Sequence, residues 1–208
     1  MLKRRWMTLA GLVLVCGWGA AARAKDAPEV RTQQLLDKLQ GVKEAPEGGS
    51  LSEADKAANE AVYRELDGYF DYERLSTEPI APNKKAFSAA QVASFRKTFN
   101  DLIRLVAYPR SSTFVRQAKV SVKKGKAQGK RAEVVMHAAL PERDIETDVG
   151  FFWEDQGAAW RIVDVSFDGT SLIKDYQNQF TRIIKKDGVD GLLKKVSERL
   201  ENERKDAS

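Results

Sequence analysis

The sequence predicts an α+β fold, in which a four-stranded, curved antiparallel sheet lies between helices that precede it and helices that follow it. Apolar residues recur with a helical period up to Pro109 and again after Gly169. Between these positions the pattern alternates, as strands with one buried face require. The 208 residues, 42% of them hydrophobic, suffice for one domain with a sizeable core. This order of elements favours helices packed on one face of the sheet.

Residues 1–24 are typical of a cleavable secretory signal. Three basic residues at positions 3 to 5 precede a mostly apolar run, 6–18, which is too short to span a bilayer. The small-x-small sequence Ala22-Arg23-Ala24 then provides a cleavage site. An uncleaved anchor, or a lipoprotein attached through Cys16, is the weaker interpretation. Cleavage removes the one cysteine, and an exported chain without disulfides fits the bacterial periplasm.

The charge of the chain is concentrated in this leader. Lys3, Arg4, Arg5 and Arg23 account for four of the five excess positive charges, since residues 1–24 contain no acid. The rest of the chain is therefore nearly neutral. A nearly neutral, exported chain is not expected to bind nucleic acid, because such binding depends on neutralising phosphates with basic side chains.

Helices are expected before the sheet. Residues 25–50 predict a short helix with apolar positions including Leu35 and Leu39, followed by a linker, and a second helix begins at Ser52. Two prolines in 71–87, Pro79 and Pro82, predict an irregular segment there. A capping box of Ser88 and Gln91 begins the next helix, which Pro109 is expected to end.

Four strands are expected next, joined as an antiparallel meander. They lie around Val120 and Val122, at 134–138, at 145–153 and at 160–167, with a turn at Lys123–Arg131. After Gly169 one helix runs to Asp187-Gly188, and a last amphipathic helix precedes a charged tail, 201–208.

The catalytic inventory is small. The chain has one Cys and one His and lacks HExxH, GxSxG, CxxC, Walker and dinucleotide motifs, so we expect no catalytic residues, no metal ligands and no cofactor. His137 lies in a predicted strand and is expected to be structural. One alternative is a hydrolase that uses Asp71 and Asp164 as an acid pair.

Two features favour a binding function. The basic run Lys123–Arg131 could meet anionic lipid headgroups, although a solvated turn is the favoured interpretation. Nine Phe and five Tyr are available to the core. If the helices do not reach the floor of the curved sheet, these residues would enclose an apolar cavity instead of a solid core.

Several segments together resemble the toluene-tolerance, or MlaC, family. They are 69–75, 91–108, Trp160-Arg161-Ile162-Val163-Asp164-Val165, Gly169-Thr170-Ser171-Leu172-Ile173, Tyr176, Gln179-Phe180 and 188–193. The last third is the most specific part. The chain departs from the family pattern at Gln177, where Arg is usual, and in 80–87, where a Leu-Gly pair and a Trp are missing.

The resemblance implies a periplasmic phospholipid carrier that maintains outer-membrane lipid asymmetry. Its partners would be a phospholipid, an inner-membrane ABC lipid transport complex, an outer-membrane lipoprotein complex and, transiently, the membrane surface. Residues 51–200 would form the lipid-binding domain. Alternatives are a hopanoid or other hydrophobic ligand, and a solid-cored interaction module. The residues expected to line the pocket are Phe99, Ile103, Val106, Val120, Val122, Met136, Val149, Phe151, Val163, Val165, Leu172, Tyr176 and Phe180.

Overall fold

A computed structural model describes residues 26–46 and 48–206. The expected signal, residues 1–24, lies outside the described residues. The helices are α1 (Pro28–Gln40), α2 (Glu53–Asp67), α3 (Tyr72–Thr77), a 3-10 helix (Glu78–Ala86), α4 (Ala89–Gln117) and α5 (Leu172–Asp206). The strands are β1 (Lys119–Val122), β2 (Lys126–Gln128), β3 (Arg131–Leu140), β4 (Ile145–Asp155), β5 (Trp160–Phe167) and β6 (Thr170–Ser171).

The strands form one antiparallel sheet in the order β1-β3-β4-β5-β6, which confirms the α+β class with its central sheet and flanking helices. The expected number of four strands is wrong, because the sheet has six. β1 and β2 both pair with β3 and act as one interrupted edge strand. β2 lies inside the segment Lys123–Arg131 that was expected to be a turn, and the turn itself is confined to Gly129 and Lys130.

Alternation within the strands sets the face of the sheet that is buried. In β3, Ala132, Val134, Met136, Ala138 and Leu140 are buried, whereas the residues between them are half-buried. Val149, Phe151 and Trp153 continue this inner face in β4. A register shift between β4 and β5 pairs Phe152 with Asp164 and Trp153 with Ile162, so that Val163 is the extra residue of a β-bulge.

Pro109 does not end its helix, contrary to the sequence-based expectation. α4 begins at the predicted capping box of Ser88 and Gln91 and continues through Pro109 to Gln117. A proline inside a helix costs about 3 kcal/mol, because it lacks an N–H and its ring clashes with the preceding turn. Ser112 and Val115, on the turns after Pro109, are buried, and Val115 belongs to the core. Burial of Val115 in the core offsets part of the cost of the proline.

The segment 71–87 is helical, so the expected irregular stretch is also wrong. Asp71 caps α3 by accepting a hydrogen bond of 3.0 Å from the backbone N–H of Arg74. The 3-10 helix follows directly, and Pro79 occupies its first turn, where a missing N–H costs nothing. Prolines in sequence therefore mark a change of helix type here instead of a loop.

The expected break at Asp187-Gly188 is present within α5. Gly188 has φ 72° and ψ 179°, a conformation that only glycine adopts readily. The helix continues beyond it to Asp206 and so includes most of the segment expected to be a charged tail, where Glu203 forms ion pairs with Arg110 and Arg199.

Two hydrophobic clusters make up the core. The first joins α1, α2 and the end of α4 to the inner face of the sheet, with Trp153 and Ile162 at its centre. The second joins the 3-10 helix and the first half of α4 to α5, around Phe95 and Phe99. The two clusters meet along α4, between the sheet and α5.

Candidate functional site

A cavity of about 220 Å³ lies where the two clusters meet. Its floor is the inner face of the sheet, and α1, α4 and the first turns of α5 form its walls. Most of the lining side chains are apolar. They are Leu35, Leu36 and Leu39 of α1, Phe99, Leu102, Ile103, Val106, Ala107, Phe114 and Val115 of α4, Met136, Val149, Phe151, Val165 and Phe167 of the sheet, Leu172, Ile173 and Tyr176 of α5, and Phe70, Tyr72 and Leu75.

Nine of the thirteen residues expected to line a pocket lie around this cavity. They come from three separate segments of the chain, which the fold brings together: Phe99, Ile103, Val106, Met136, Val149, Phe151, Val165, Leu172 and Tyr176. Helical spacing in α4 and alternation in the strands are the signals that pointed to them. They place these side chains on the inward-facing side of their elements.

The other four expected residues, Val120, Val122, Val163 and Phe180, do not line the cavity. Val120 and Val122 are on the edge strand β1 and pack, partly buried, against the first cluster. Val163 is displaced by the β-bulge. Phe180 lies within the second cluster, where its ring stacks on Tyr176 with centroids 5.3 Å apart. Phe180 therefore packs against the lining residue Tyr176 but does not line the cavity itself.

Sequence reasoning missed the contribution of α1. Leu35 and Leu36 are almost completely buried and form one side of the cavity, although the lipid-binding domain was expected to comprise residues 51–200. The helical spacing of α1 was visible in the sequence, but the element against which a helix packs is set by long-range contacts. Glu29 illustrates such a contact, because its carboxylate accepts a hydrogen bond of 3.0 Å from the N–H of Gly125, next to β2.

A chain of hydrogen bonds holds the polar groups in the cavity wall. The Tyr108 hydroxyl donates to Asp67 at 2.8 Å and lies 2.6 Å from the Tyr72 hydroxyl, so Tyr72 is the donor in that second bond. Arg104 pairs with the other oxygen of Asp67 at 3.2 Å. Burial raises the pKa of both the Tyr72 and the Tyr108 phenols far above the ordinary value. Both tyrosines therefore stay neutral, and each hydroxyl proton is used in a hydrogen bond within the protein.

Two of the lining residues are exposed, Phe167 and Arg199, and we call them the rim. Phe167 ends β5 and is 50% exposed, which is unusual for a phenylalanine. The rim is where the cavity reaches solvent.

The candidate acid pair has structural roles. Asp71 caps α3 and also accepts a hydrogen bond of 2.6 Å from Gln156. Asp164 lines the cavity, but its oxygens accept from the N–H groups of Val165 at 2.8 Å and Ile173 at 3.2 Å. It also accepts from the hydroxyl of Ser171. These bonds fix the start of α5 against β5.

His137 lies half-buried on the outer face of β3, away from the cavity. Its Nδ1 is 2.8 Å from Asp148, whose pKa is lowered by this hydrogen bond and by the one from Lys123. Within residues 26–46 and 48–206, no three or more His, Cys, Asp or Glu side chains are grouped as a metal site would require. None of the helices in the same ranges has a segment long and apolar enough to cross a bilayer.

Most of the sequence matches a known protein family. The profile of the MlaC protein family matches residues 32–198, which is most of the chain. The chain belongs to the MlaC family. The matched region includes α4, the whole sheet and α5 up to its last turns, and so contains nearly all of the cavity lining. This finding confirms the resemblance inferred from the motif series.

Two comparisons with known proteins are informative. The intermembrane phospholipid transport system binding protein MlaC of Haemophilus influenzae is 22% identical over 200 residues, which cover 94% of this chain and 92% of that protein. The solved structure of the phospholipid-binding protein from Ralstonia solanacearum, in complex with a phospholipid, superposes with a TM-score of 0.63 at 18% identity. The match covers 87% of this chain and 99% of that one. At 18% identity, the match to the Ralstonia structure shows a shared fold.

Proposed function

We propose that this MlaC-family chain is a periplasmic phospholipid carrier that holds the lipid tails in the cavity between the sheet, α1, α4 and α5. The observation that carries this proposal is the apolar cavity itself, built from both hydrophobic clusters and open at the rim. The phospholipid named for the Haemophilus and Ralstonia relatives supports the choice of ligand.

The physics of such a carrier favours an oily pocket with few polar contacts. Two acyl chains with roughly 30 methylenes, at about 0.8 kcal/mol each, represent about 24 kcal/mol of apolar transfer, more than non-covalent affinities reach. A carrier therefore only needs to match the bilayer in free energy, so that transfer in either direction is nearly neutral. The lining of the cavity, with its tyrosine hydroxyls bonded internally, meets this condition.

The cavity is smaller than its proposed cargo. Its volume of about 220 Å³ is below the roughly 300–1,000 Å³ of typical small-molecule pockets. Loading therefore separates the walls, and the contact between α5 and the sheet lies at the boundary between the two clusters. Movement along this boundary opens the cavity without disrupting the centre of either cluster.

The leader and the family support the proposed place and partners of the carrier. Residues 1–24 direct export, and the mature chain exchanges lipid with an inner-membrane ABC transport complex and an outer-membrane lipoprotein complex. Transient contact with membrane surfaces involves the basic segment Lys123–Arg131. Within that segment, Lys123 and Arg131 already pair with Asp148 and Glu154 of β4, which leaves the middle of the segment to meet anionic headgroups.

Native mass spectrometry of the purified mature chain tests the proposal. We expect co-purifying phospholipid, and uptake of phospholipid from vesicles after delipidation. Val165→Trp, which fills the cavity at its sheet floor, should lower uptake at least tenfold. Val30→Trp is the matched control, because Val30 is 48% exposed on α1 and faces away from the cavity. A wild-type protein that carries no lipid and takes none from vesicles would overturn the proposal.

A further inference from the structure

The rim of the cavity contains a charged group that the tails of a lipid do not need. Arg199 is the one cation among the described residues that line the cavity. Its side chain is 55% exposed, so it lies between the apolar interior and solvent. The polar end of a lipid whose tails fill the cavity would be at this boundary.

The ion pair between Arg199 and Glu203 is long and therefore weak. The Nε of Arg199 is 3.7 Å from the carboxylate of Glu203, longer than the roughly 2.7–2.9 Å of a charge-assisted hydrogen bond. Glu203 is shared, because Arg110 approaches both of its oxygens at 3.3 Å. Two guanidinium groups and one carboxylate leave a net positive charge beside the rim, and a guanidinium offers five N–H donors.

The other charged lining residue does not compete for Arg199. Asp164 already accepts hydrogen bonds from two backbone N–H groups and from Ser171. Tyr176, which also lines the cavity, is close enough to feel the charge. Burial raises the pKa of its phenol, and the positive charge of Arg199 acts in the opposite direction.

We propose that Arg199 binds the phosphate of the lipid at the rim, and that Glu203 holds the guanidinium in place while the cavity is empty. This inference rests on the proposed carrier function and assigns the residue that meets the phosphate of its ligand. Guanidinium groups match phosphate oxygens with two parallel N–H bonds, which the 3.7 Å contact with Glu203 does not provide. Because all glycerophospholipids share the phosphate, the site gives no selectivity among their headgroups.

The size of the effect is limited by solvent. Arg199 and Arg110 are both more than half exposed, so salt and water screen their attraction to a phosphate. We therefore expect Arg199→Gln to weaken phospholipid retention by about tenfold, which corresponds to about 1.4 kcal/mol. Most of the binding free energy remains with the tails.

The test compares two lipids with the same tails. The delipidated mature chain is equilibrated with vesicles that contain either dioleoylphosphatidylglycerol or dioleoylglycerol, and bound lipid is counted by native mass spectrometry. Arg199→Gln should lower retention of the phospholipid about tenfold and leave that of the diacylglycerol unchanged. Glu203→Gln should act in the opposite direction and raise phospholipid retention, since it removes the competing carboxylate.

A matched variant controls for loss of charge. Lys194 lies on the same helix and pairs with Glu198 at 3.8 Å, away from the cavity. Lys194→Gln should retain both lipids as the wild type does. Arg199→Lys keeps the charge without the paired donors and should fall between wild type and Arg199→Gln. Thermal melting checks that each variant is folded.

The outcomes separate this inference from the proposed function. Equal phospholipid retention by wild type and Arg199→Gln, with lipid bound by both, overturns the phosphate site but leaves the carrier function in place. A wild type that binds neither lipid overturns the carrier function itself. Inorganic phosphate at 1 mM is the third arm, and it should not compete with the lipid. Competition at that concentration would assign the site to a free phosphate instead.

Discussion

The indole Nε1 of Trp153 donates a hydrogen bond of 3.1 Å to the Oγ1 of Thr32, and both groups are buried although 121 residues separate them. Thr32 in turn donates to the carbonyl of Pro28 at 2.8 Å. This pair fixes α1 to the inner face of β4. Because α1 also supplies Leu35, Leu36 and Leu39 to the cavity, the bond joins the stability of the protein to the shape of its candidate site.

Thr32→Val should therefore destabilise the protein. It leaves a buried indole N–H without an acceptor, which costs about 1–3 kcal/mol. Urea unfolding measures the loss, and Thr32→Ser, which keeps the hydroxyl and loses only a buried methyl group, should cost about 0.8 kcal/mol. Equal stability of the valine and serine variants would show that this bond does not hold α1 in place.

Tyr108 should be needed for stability but not for the shape of the cavity. Tyr108→Phe leaves the Tyr72 hydroxyl and one oxygen of Asp67 without their partner and should cost about 1–3 kcal/mol. Lipid uptake should change less than twofold, because the ring that faces the cavity is kept. A large loss of uptake in a folded variant would contradict this interpretation and give the hydroxyl a direct role with the ligand.

The same two tyrosines predict how stability depends on alkaline pH. Burial raises the pKa of Tyr72 and Tyr108 in the folded protein above their unfolded value of about 10. The folded state then binds more protons than the unfolded state above that pH. Stability should be unaffected by these groups near neutral pH and should fall as the pH rises past about 10. Urea unfolding between pH 8 and 11.5 measures the slope, which Tyr72→Phe/Tyr108→Phe should reduce.

Replacing Pro109 should raise the stability of the protein and lower its lipid uptake. The turns before and after it both line the cavity, and a proline within a helix bends it. Pro109→Ala restores the hydrogen bond to residue 105 and should raise the melting temperature. It should also straighten α4 and lower lipid uptake by at least threefold. A stabilised variant with normal uptake would mean that the bend is not needed for the cavity.

Gly188 should tolerate no side chain. Its φ of 72° with ψ of 179° lies in a region that is essentially restricted to glycine, so Gly188→Ala should cost about 1–3 kcal/mol. Gly41 is a suitable control, since its φ of −75° and ψ of −14° suit alanine. In the same unfolding experiment Gly41→Ala should cost less than Gly188→Ala, because the added Cβ meets only the carbonyl oxygen of Lys38, at 3.2 Å, without backbone strain.

Elements that are marked by a short sequence pattern were predicted correctly. The capping box of Ser88 and Gln91 and the alternation from Val134 to Ala138 both correspond to observed features. β2 and β6 have three and two residues, too few for an alternating pattern to register. Pro109 was misread because its penalty is local, whereas the burial of Val115 that offsets part of it depends on the tertiary fold.

Part of the candidate site was predicted, because some of its lining residues follow from local sequence patterns. Met136, Val149 and Phe151 follow from the period of two in the strands, and Phe99 and Ile103 from the spacing in α4. The walls supplied by Leu35 of α1 and the rim residue Arg199 could not be inferred, because no local pattern states which helix covers which part of a sheet. The bulge at Val163 likewise depends on how two strands pair.

The order of the elements also has a consequence for synthesis of the protein. The helix that carries Leu35, Leu36 and Leu39 leaves the ribosome long before the strand that carries Trp153. Over the 121 residues between Thr32 and Trp153, at about 5–20 residues per second, the delay is about 6–24 s. During this interval the apolar side of the first helix lacks the inner face of the sheet as a packing partner, so it adds exposed hydrophobic surface that favours aggregation.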